Sequence, residues 1–336
     1  MLRLPTFEVV QPTALEAALE ALAEPDAVAV AGGTDLLPNL KHRLAYPRRL
    51  VSLARVEGLA RAPEVEADGT LVLRAGATLA RVAADRRVRT IAPSLAEAAG
   101  RVASPLIRNM ATIGGNVNLD TRCRYVNQTA FWRSAIGGCL KSEGQVCHVV
   151  PKGRNCVAAL SSDTVPVLLS LDARLVQRAA GGRRREIDVA SYFHADGTAH
   201  LLREPGEITW EIRIPPAVQP RRTAYVKWSV RGSIDFPLVS VALRADLEED
   251  RDDAPVVGWR VVAGVLGSKP RVVKVPPAAT GAPLADPAVA EAVAEAVHRQ
   301  CKPLENVPYE AAYRRKLARV LVRRAVARLG GRDTAR

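Results

Sequence analysis

The chain has 336 residues, 48% of them hydrophobic and 4% aromatic, and carries a formal charge of +13. That composition excludes a disordered chain. With no bilayer-length apolar run and no secretion signal in MLRLPTFEVVQPT, a cytoplasmic protein with room for two cored domains is expected. Arginines spread along the whole chain and scarce aromatics argue against a stacking basic groove for nucleic acid, so the charge suits an acidic protein partner or an anionic ligand.

From the N-terminus, Thr13 and Glu16 form a capping box, and Leu15, Leu19 and Leu22 make one apolar stripe, which predicts a helix up to Pro25 and Asp26. Ala27 to Ala31 read as a short strand that runs directly into Gly32-Gly33-Thr34-Asp35. Strands are also expected at Arg49 to Leu53 and in LVLRAGATLA around Leu71. Ser94 with Glu97 caps a helix through Ala103, followed by the loop ASPLIRNMATIGGNVN. Past residue 160, SSDTVPVLLSLDARLVQRAAGGRRREIDVASYF alternates helix and strand signals around a hairpin turn at Gly181-Gly182. EITWEIRIPP has period-two alternation at Ile208, Trp210, Ile212 and Ile214, and Pro215 to Pro220 is the linker candidate. Beyond it, TAYVKWSVRGSIDFPLVSVALRADL and VVGWRVVAGVLGSKPRVVKV read as antiparallel strands flanking a helix. Helices at Pro287 to Cys301 and Tyr309 to Leu329 close the chain. The last places Leu317, Val320, Leu321 and Ala325 on one side and arginines over the rest, a solvated face.

Four of the five cysteines, Cys123, Cys139, Cys147 and Cys156, fall within 34 residues, with fifteen, seven and eight residues between successive thiols. In a reducing compartment such a cluster points to metal or redox chemistry rather than to structural disulfides. Four thiolates are the complement of a cubane iron–sulfur cluster, one per iron, although the spacing is not a compact ferredoxin run. They are also the complement of a structural zinc site, which usually uses short C-x₂₋₄-C pairs. His148, beside Cys147, reads as a replacement ligand or as a neighbour of the site. Lys141, Lys152 and Arg154 either balance cluster charge and attract an acidic donor or are simply solvated. Phe131 and Trp132 are expected to pack this segment against the body. Cys301 lies in a helical stretch far away and reads as buried and inert. With no Ser-His-Asp or HExxH constellation, no side chain is expected to act in covalent catalysis.

AGGTDL at 31–36 and ATIGGNVN at 111–118 each set a glycine pair beside hydroxyl or amide side chains. Glycine allows positive φ and close backbone approach, so consecutive N–H groups can converge on an anion; taken singly, each pair is also simply a turn. Neither is a GxGxxG or Walker A loop. Together the two loops resemble those of the FAD-binding medium subunits of the molybdenum hydroxylases, of the carbon monoxide dehydrogenase and xanthine dehydrogenase type. The resemblance is carried by Ala31 to Leu36, Thr112 to Asn116, Asp163 in SSDTVPVLLSLDARL, and Tyr225-Val226-Lys227 to Arg231 with Asp235-Phe236, and it runs the length of the chain in the family's order. It implies an α+β fold: a PCMH-type FAD-binding domain of two α/β subdomains over 1–218 and a smaller C-terminal domain of antiparallel sheet plus helices over 221–330. It also implies FAD pyrophosphate contacts from Val30, Ala31, Gly32, Gly33, Thr34, Asp35, Leu36 and Leu37, and from Thr112, Ile113, Gly114, Gly115, Asn116 and Asn118. Asp163 would face the ribityl and flavin region, with Tyr225 and Lys227 on the domain that closes over it.

Ordinary members of the family pass from the IGGN loop almost directly to the helix near Asp163, whereas this chain inserts residues 119–160. The insert is similar to that of one branch, the beta subunits of 4-hydroxybenzoyl-CoA reductases, in which the loop holds a [4Fe–4S] cluster. This resemblance implies Cys123, Cys139, Cys147 and Cys156 as ligands. It further implies electron flow from ferredoxin through the cluster and FAD to the [2Fe–2S] clusters of a small subunit and the molybdenum cofactor of a large one. The reaction would be reductive dehydroxylation to benzoyl-CoA in a paired heterotrimer. Two other readings stand beside it: the FAD subunit of an oxidative molybdenum hydroxylase, and a zinc-stapled basic binding protein without redox activity.

Overall fold

The computed structural model describes residues 2–331. Three short strands, Glu8–Val10, Ala27–Val30 and Arg49–Ser52, pair in parallel, with Arg49–Ser52 in the middle. Parallel strands of one sheet need a crossover, and the helix Leu15–Ala23 supplies the first, from one edge strand to the other, burying Ala18, Leu19 and Leu22. The expected capping box is not made. The helix starts after an extended Ala14 without a side-chain cap, while the Thr13 carbonyl accepts the Glu57 N–H at 2.8 Å. Burial of the leucine stripe, not capping, holds this helix.

The second sheet is antiparallel throughout. Its order is Glu64–Val65, Leu71–Arg74, Ile208–Ile214, Arg174–Arg178, Arg184–Asp188. Its last two strands are joined through Gly181 and Gly182, both at positive φ (74° and 72°), as a tight hairpin requires. Helices Leu79–Ala84, Pro93–Gly100 and Thr164–Ser170 contribute to the main core beside this sheet. The helix expected to be capped by Ser94 begins at Pro93, whose missing N–H suits a first helical turn, and it stops at Gly100. The Ser94 hydroxyl is buried without a partner instead of capping.

Four strands form the C-terminal sheet, in the order Arg271–Val273, Val256–Gly264, Val239–Leu247, Arg221–Trp228, all antiparallel. No helix lies between the middle pair; residues 248–255, EEDRDDAP, are an acidic loop whose charges keep it at the surface. Helices Pro287–Gln300 and Ala311–Leu329 pack on the sheet. In the last helix the buried stripe is Arg314, Ala318, Val322, Ala325 and Val326, rotated from the expected one; Leu317 and Leu321 are half-buried and Val320 is 40% exposed. The cause is Arg314. Its guanidinium donates to the carbonyls of Leu238 (2.9 Å), Leu304 (2.7 Å) and Val265 (2.7 Å), and burial lowers its pKa to about 10. Cys301 is fully buried, with its thiol pushed up to about 12 by desolvation. Among the described residues no helix is long and apolar enough to cross a membrane.

Candidate functional site

The two glycine loops stand back to back. Gly32 lies so close to the second loop that an added methyl would overlap the Met110 carbonyl oxygen, and Gly33 takes φ +70°. Gly114 is wedged against Ala75, where a Cβ would stand 2.6 Å from the Ala75 Cβ and 2.8 Å from its carbonyl oxygen.

The loops differ in what they offer a ligand. In the second, Ile113 N–H donates to Ala77 O (2.9 Å), Gly114 to Ala75 O (2.8 Å), Gly115 to Thr112 Oγ1 (3.0 Å) and Asn116 to Thr112 O (2.9 Å). Its asparagines are also engaged. Asn116 Oδ1 accepts from Ser162 Oγ and Thr164 Oγ1, both at 2.7 Å; Asn118 donates to Gly114 O (2.8 Å) and Thr209 Oγ1 (2.9 Å) and accepts from Tyr192 (2.6 Å). In the first loop, among the described residues, the N–H groups of Gly32, Gly33, Thr34 and Asp35 donate to no protein acceptor. Consecutive bare N–H groups of this kind form a nest for an anion. Leu36 and Leu37 open the short helix Leu36–Lys41 that follows.

Asp35 ends that nest with its carboxylate paired to Arg122 and bonded by Asn39 Nδ2 (3.3 Å); burial pushes its pKa up, against the pull of Arg122. The Arg122 guanidinium also lies over the Phe236 ring, 4.0 Å from its centroid. Exposed apolar side chains gather nearby from both sides: Leu106 and Met110 from the helix Pro105–Met110, Ile234 and Phe236 from the loop after Arg221–Trp228. The two are tied by the Ile234 N–H, which donates to Ala103 O at 3.0 Å.

Asp163, Tyr225 and Lys227 meet in one buried group. The Tyr225 hydroxyl donates to Asp163 Oδ1 at 2.7 Å, and Lys227 Nζ lies 3.0 Å from the same oxygen while also donating to Arg101 O (2.9 Å). The Asp163 and Lys227 side chains are 3% and 4% exposed, so the cluster is an interior bolt between the C-terminal sheet and the start of the helix Thr164–Ser170. Burial pushes the Asp163 carboxyl up, with the Lys227 charge opposing, and raises the Tyr225 phenol well above its usual value.

In the insert, Cys123, Cys139, Cys147 and Cys156 are free, buried and line one small cavity of about 20 Å³; Tyr125, Lys141 and His148 share the lining. Among the described residues no group of three or more His, Cys, Asp or Glu side chains is placed to hold a metal ion. Several of the sulfurs receive backbone donors: Val150 N–H to Cys147 (3.4 Å), Ala158 N–H to Cys156 (3.5 Å), and the Tyr125 and Val126 amides to Cys123. Gly197 leaves Cys156 room that a Cβ, 2.9 Å from Sγ, would take away. Without a bound cation, burial pushes the Cys123 thiol up to about 11 and raises Cys156 as well. What the cavity offers is four cysteine sulfurs, three of which accept backbone N–H groups.

Lys141 is a brace rather than a free surface charge, with Nζ 2.6 Å from Asp120 Oδ1, Thr121 Oγ1 and Gly197 O. His148 Nε2 pairs with Gly138 O at 2.6 Å and its ring packs on Tyr125 (5.1 Å between centroids). Lys152 and Arg154 are exposed. Phe131 and Trp132 do not dock the insert; they are 84% and 38% exposed. Arg133 does that work. It is 1% exposed and donates through Nε to Ser142 Oγ (2.7 Å) and through its terminal nitrogens to the carbonyls of Gln128 (2.7 Å), His42 (2.9 Å) and Arg43 (3.0 Å). An arginine inside a charged surface-like stretch gives no sequence signal of burial, which is why it is legible only in the fold. A larger cleft, about 720 Å³, lies elsewhere, between Pro215-Pro216 and strands Arg174–Arg178 and Arg184–Asp188. Its charges are paired, Arg174 with Asp188 (3.0 Å) and Arg260 with Asp172 (2.5 Å), so it presents little to attract an ionic ligand.

Residues 5–217 match the family described as the FAD binding domain in molybdopterin dehydrogenase, and residues 224–329 match the CO dehydrogenase flavoprotein C-terminal domain. The chain is 34% identical over 274 residues to the aldehyde oxidoreductase FAD-binding subunit PaoB of Escherichia coli, spanning 77% of this chain and 84% of that protein. To the nicotine 6-hydroxylase medium subunit of Paenarthrobacter nicotinovorans it is 27% identical over 335 residues, 98% of this chain and all of that one. A chain of carbon monoxide dehydrogenase from Hydrogenophaga pseudoflava shares the fold, with a TM-score of 0.76 at 24% identity over 99% of this chain and 100% of the other.

Proposed function

The chain belongs to the FAD-binding family of the molybdopterin dehydrogenases, the FAD subunit of a molybdenum hydroxylase-type complex, and on that premise we propose that it is the flavin and [4Fe–4S] electron-transfer subunit of a 4-hydroxybenzoyl-CoA reductase. The observation that supports the cluster is the single cavity lined by Cys123, Cys139, Cys147 and Cys156. The long gaps between these cysteines argue against the zinc staple, which usually uses short C-x₂₋₄-C pairs.

When bound, FAD exchanges electrons in pairs or singly and the cluster singly; the protein supplies binding and tuning. The bare N–H groups of Gly32 to Asp35 receive the pyrophosphate, and the second loop, from Thr112 to Asn118, is the rigid wall that holds the first in place. The apolar side chains of Leu106, Met110, Ile234 and Phe236 shield the flavin from water. Asp163, Tyr225 and Lys227 lock the C-terminal domain over that site. The amides on Cys123, Cys147 and Cys156 stabilise thiolate charge, which favours the reduced state.

The partners we assign are a large molybdenum-cofactor subunit and a small subunit with two [2Fe–2S] clusters, in a paired heterotrimer in the cytoplasm. Ferredoxin, typically acidic, would dock where Phe131, Trp132 and Val146 are exposed beside Arg124, Lys152 and Arg154. A second reading is favoured by the relatives named as an aldehyde oxidoreductase and a nicotine 6-hydroxylase: an oxidative complex in which electrons leave through this chain.

Iron and flavin analysis tests the cofactors. We expect about four irons per chain, the complement of one cubane, and one FAD, and a Cys139→Ser variant that loses iron but keeps FAD. Retention of iron by that variant would defeat the ligand assignment. Assay of the purified complex decides the direction: turnover of 4-hydroxybenzoyl-CoA with reduced ferredoxin supports the reductase, whereas turnover of aldehydes or N-heterocycles alone, with an electron acceptor, replaces it with the oxidative reading.

A further inference from the structure

The nest of bare N–H groups from Gly32 to Asp35 suits an anion, yet its last N–H belongs to a residue that is itself negative. A carboxylate on the residue that supplies a nest N–H stands within a few ångströms of any anion that N–H receives. At that separation two like charges repel strongly in a partly buried site, and the Asp35 side chain is only 22% exposed. Asp35 Oδ1 is paired with the Arg122 guanidinium, while Oδ2 accepts only from neutral donors, the Asp120 N–H (3.4 Å) and Asn39 Nδ2 (3.3 Å). Among the described residues Arg122 is therefore the one cation paired with Asp35. Asp120 has its own, with Lys141 Nζ 2.6 Å from its Oδ1. Arg122 is fixed where it stands. Its backbone exchanges hydrogen bonds with Ala159 in both directions (2.8 and 2.6 Å), and its guanidinium lies over the Phe236 ring. Both cations, Arg122 and Lys141, come from the cysteine segment.

Resting on the flavin reading above and not on the cluster, we propose that Arg122 is a positioning residue for FAD, which cancels the Asp35 carboxylate so that the first glycine loop accepts a diphosphate. The nest N–H groups carry only partial charges, and an uncancelled carboxylate beside them would offset much of their attraction. With Asp35 paired, the field that the loop presents to a diphosphate is positive. The cysteine segment is then part of the flavin site through one charge, whether or not its sulfurs hold a metal.

FAD titration of the flavin-stripped complex at pH 8, followed by flavin fluorescence, tests this. Arg122→Met leaves the carboxylate facing the diphosphate and should weaken FAD on the order of tenfold or more. Arg122→Lys, which keeps the charge, should recover most of that loss. Asp35→Asn separates charge from mere structure. It removes the repelling group and leaves Arg122 in place, so FAD should bind at least as tightly as to wild type, and adding Asp35→Asn to Arg122→Met should restore most of the affinity. If the Asp35–Arg122 pair only held the loop together, both single changes would weaken FAD alike. That outcome overturns the proposal, as does an Arg122→Met complex with wild-type affinity. Should Arg122→Met fail to assemble, Asp35→Asn alone decides: affinity kept or raised supports the proposal, and affinity lowered overturns it, with the flavin reading intact. A wild-type complex that takes up no FAD removes the flavin reading and this inference together.

Discussion

Replacing Lys227 by Met tests whether the buried bolt holds the two domains together. In the native chain Asp163 Oδ1 is neutralised by Lys227 Nζ at 3.0 Å and by the Tyr225 hydroxyl at 2.7 Å, with both charged side chains almost wholly out of solvent. The substitution leaves a buried carboxylate with one neutral donor and frees the Arg101 carbonyl that Lys227 satisfied. Breaking such a pair by removing one member costs about 3–5 kcal/mol. At about 2–4 °C per kcal/mol for a chain of a few hundred residues, the melting temperature should fall by roughly 6–20 °C. The loss should shrink on acidification. Burial already raises the Asp163 carboxyl, and without Lys227 the folded state binds its proton more tightly than the unfolded state does. Stability contributed by that proton is complete below the unfolded carboxylate pKa and vanishes as pH rises through the folded one, so Lys227→Met should be less destabilised at pH 5 than at pH 8. Asp163→Asn combined with Lys227→Met removes both charges and should recover about 2 kcal/mol relative to the sum of the single changes, the signature of a coupled pair. Circular dichroism melts and flavin fluorescence of the four proteins measure this. A Lys227→Met protein within about 1 kcal/mol of wild type would refute the reasoning, because so small an effect is typical of solvated surface pairs.

Gly32→Ala must push the first loop off the Met110 carbonyl, so FAD content should fall at least tenfold, whereas Gly115→Ala meets only Thr112 Oγ1 at 3.1 Å and should retain most of its flavin; absorbance of the purified variants decides. Arg314→Met leaves the Leu238, Leu304 and Val265 carbonyls without their donor, at about 1–3 kcal/mol for each buried group left unmet. Denaturant unfolding should show that loss while the FAD content of the folded fraction stays constant. Cys301, with a thiol pKa near 12 and no exposure, should resist iodoacetamide in the native protein and react only after unfolding, as peptide mass mapping will show.

Much of the fold is legible because periodicity survives packing. The leucine stripe of Leu15–Ala23, the Gly181-Gly182 hairpin and the paired closing helices all follow from local residue patterns. Caps proved less legible. Thr13 and Ser94 carry the right chemistry, but the backbone turns into the helix at Ala14 and Ala92, and no hydroxyl can cap a helix that starts elsewhere. Buried arginines were illegible for a different reason. Arg133 and Arg314 satisfy their charge with backbone carbonyls from segments far away in sequence, so no neighbouring residue announces them. The glycine pairs look alike in sequence, and only their hydrogen bonds separate a nest with bare donors from a wall whose donors are spent.

The same long-range bonding explains how the forty-odd residues between the IGGN loop and Asp163 are held without loosening the site. Each arm of the insert is fastened both to the FAD-binding domain and to the C-terminal domain. On the first, Arg122 reaches Asp35 in the glycine loop and the Arg124 N–H donates to Asn306 O (2.8 Å). On the second, the Cys156 N–H bonds to Asp196 (3.1 Å), while Ser268 Oγ donates to the Cys156 (3.0 Å) and Ala158 (2.9 Å) carbonyls. Arg133 ties the middle to the turn after Leu36–Lys41. Electron transfer depends steeply on separation, and a hinged loop would let that separation wander. These fastenings anchor the four sulfurs relative to both the flavin loop and the C-terminal domain. In the proposed cluster, cutting any one tie should therefore broaden the EPR lines before iron is released, and a line width unchanged after Arg133→Met would contradict that proposal.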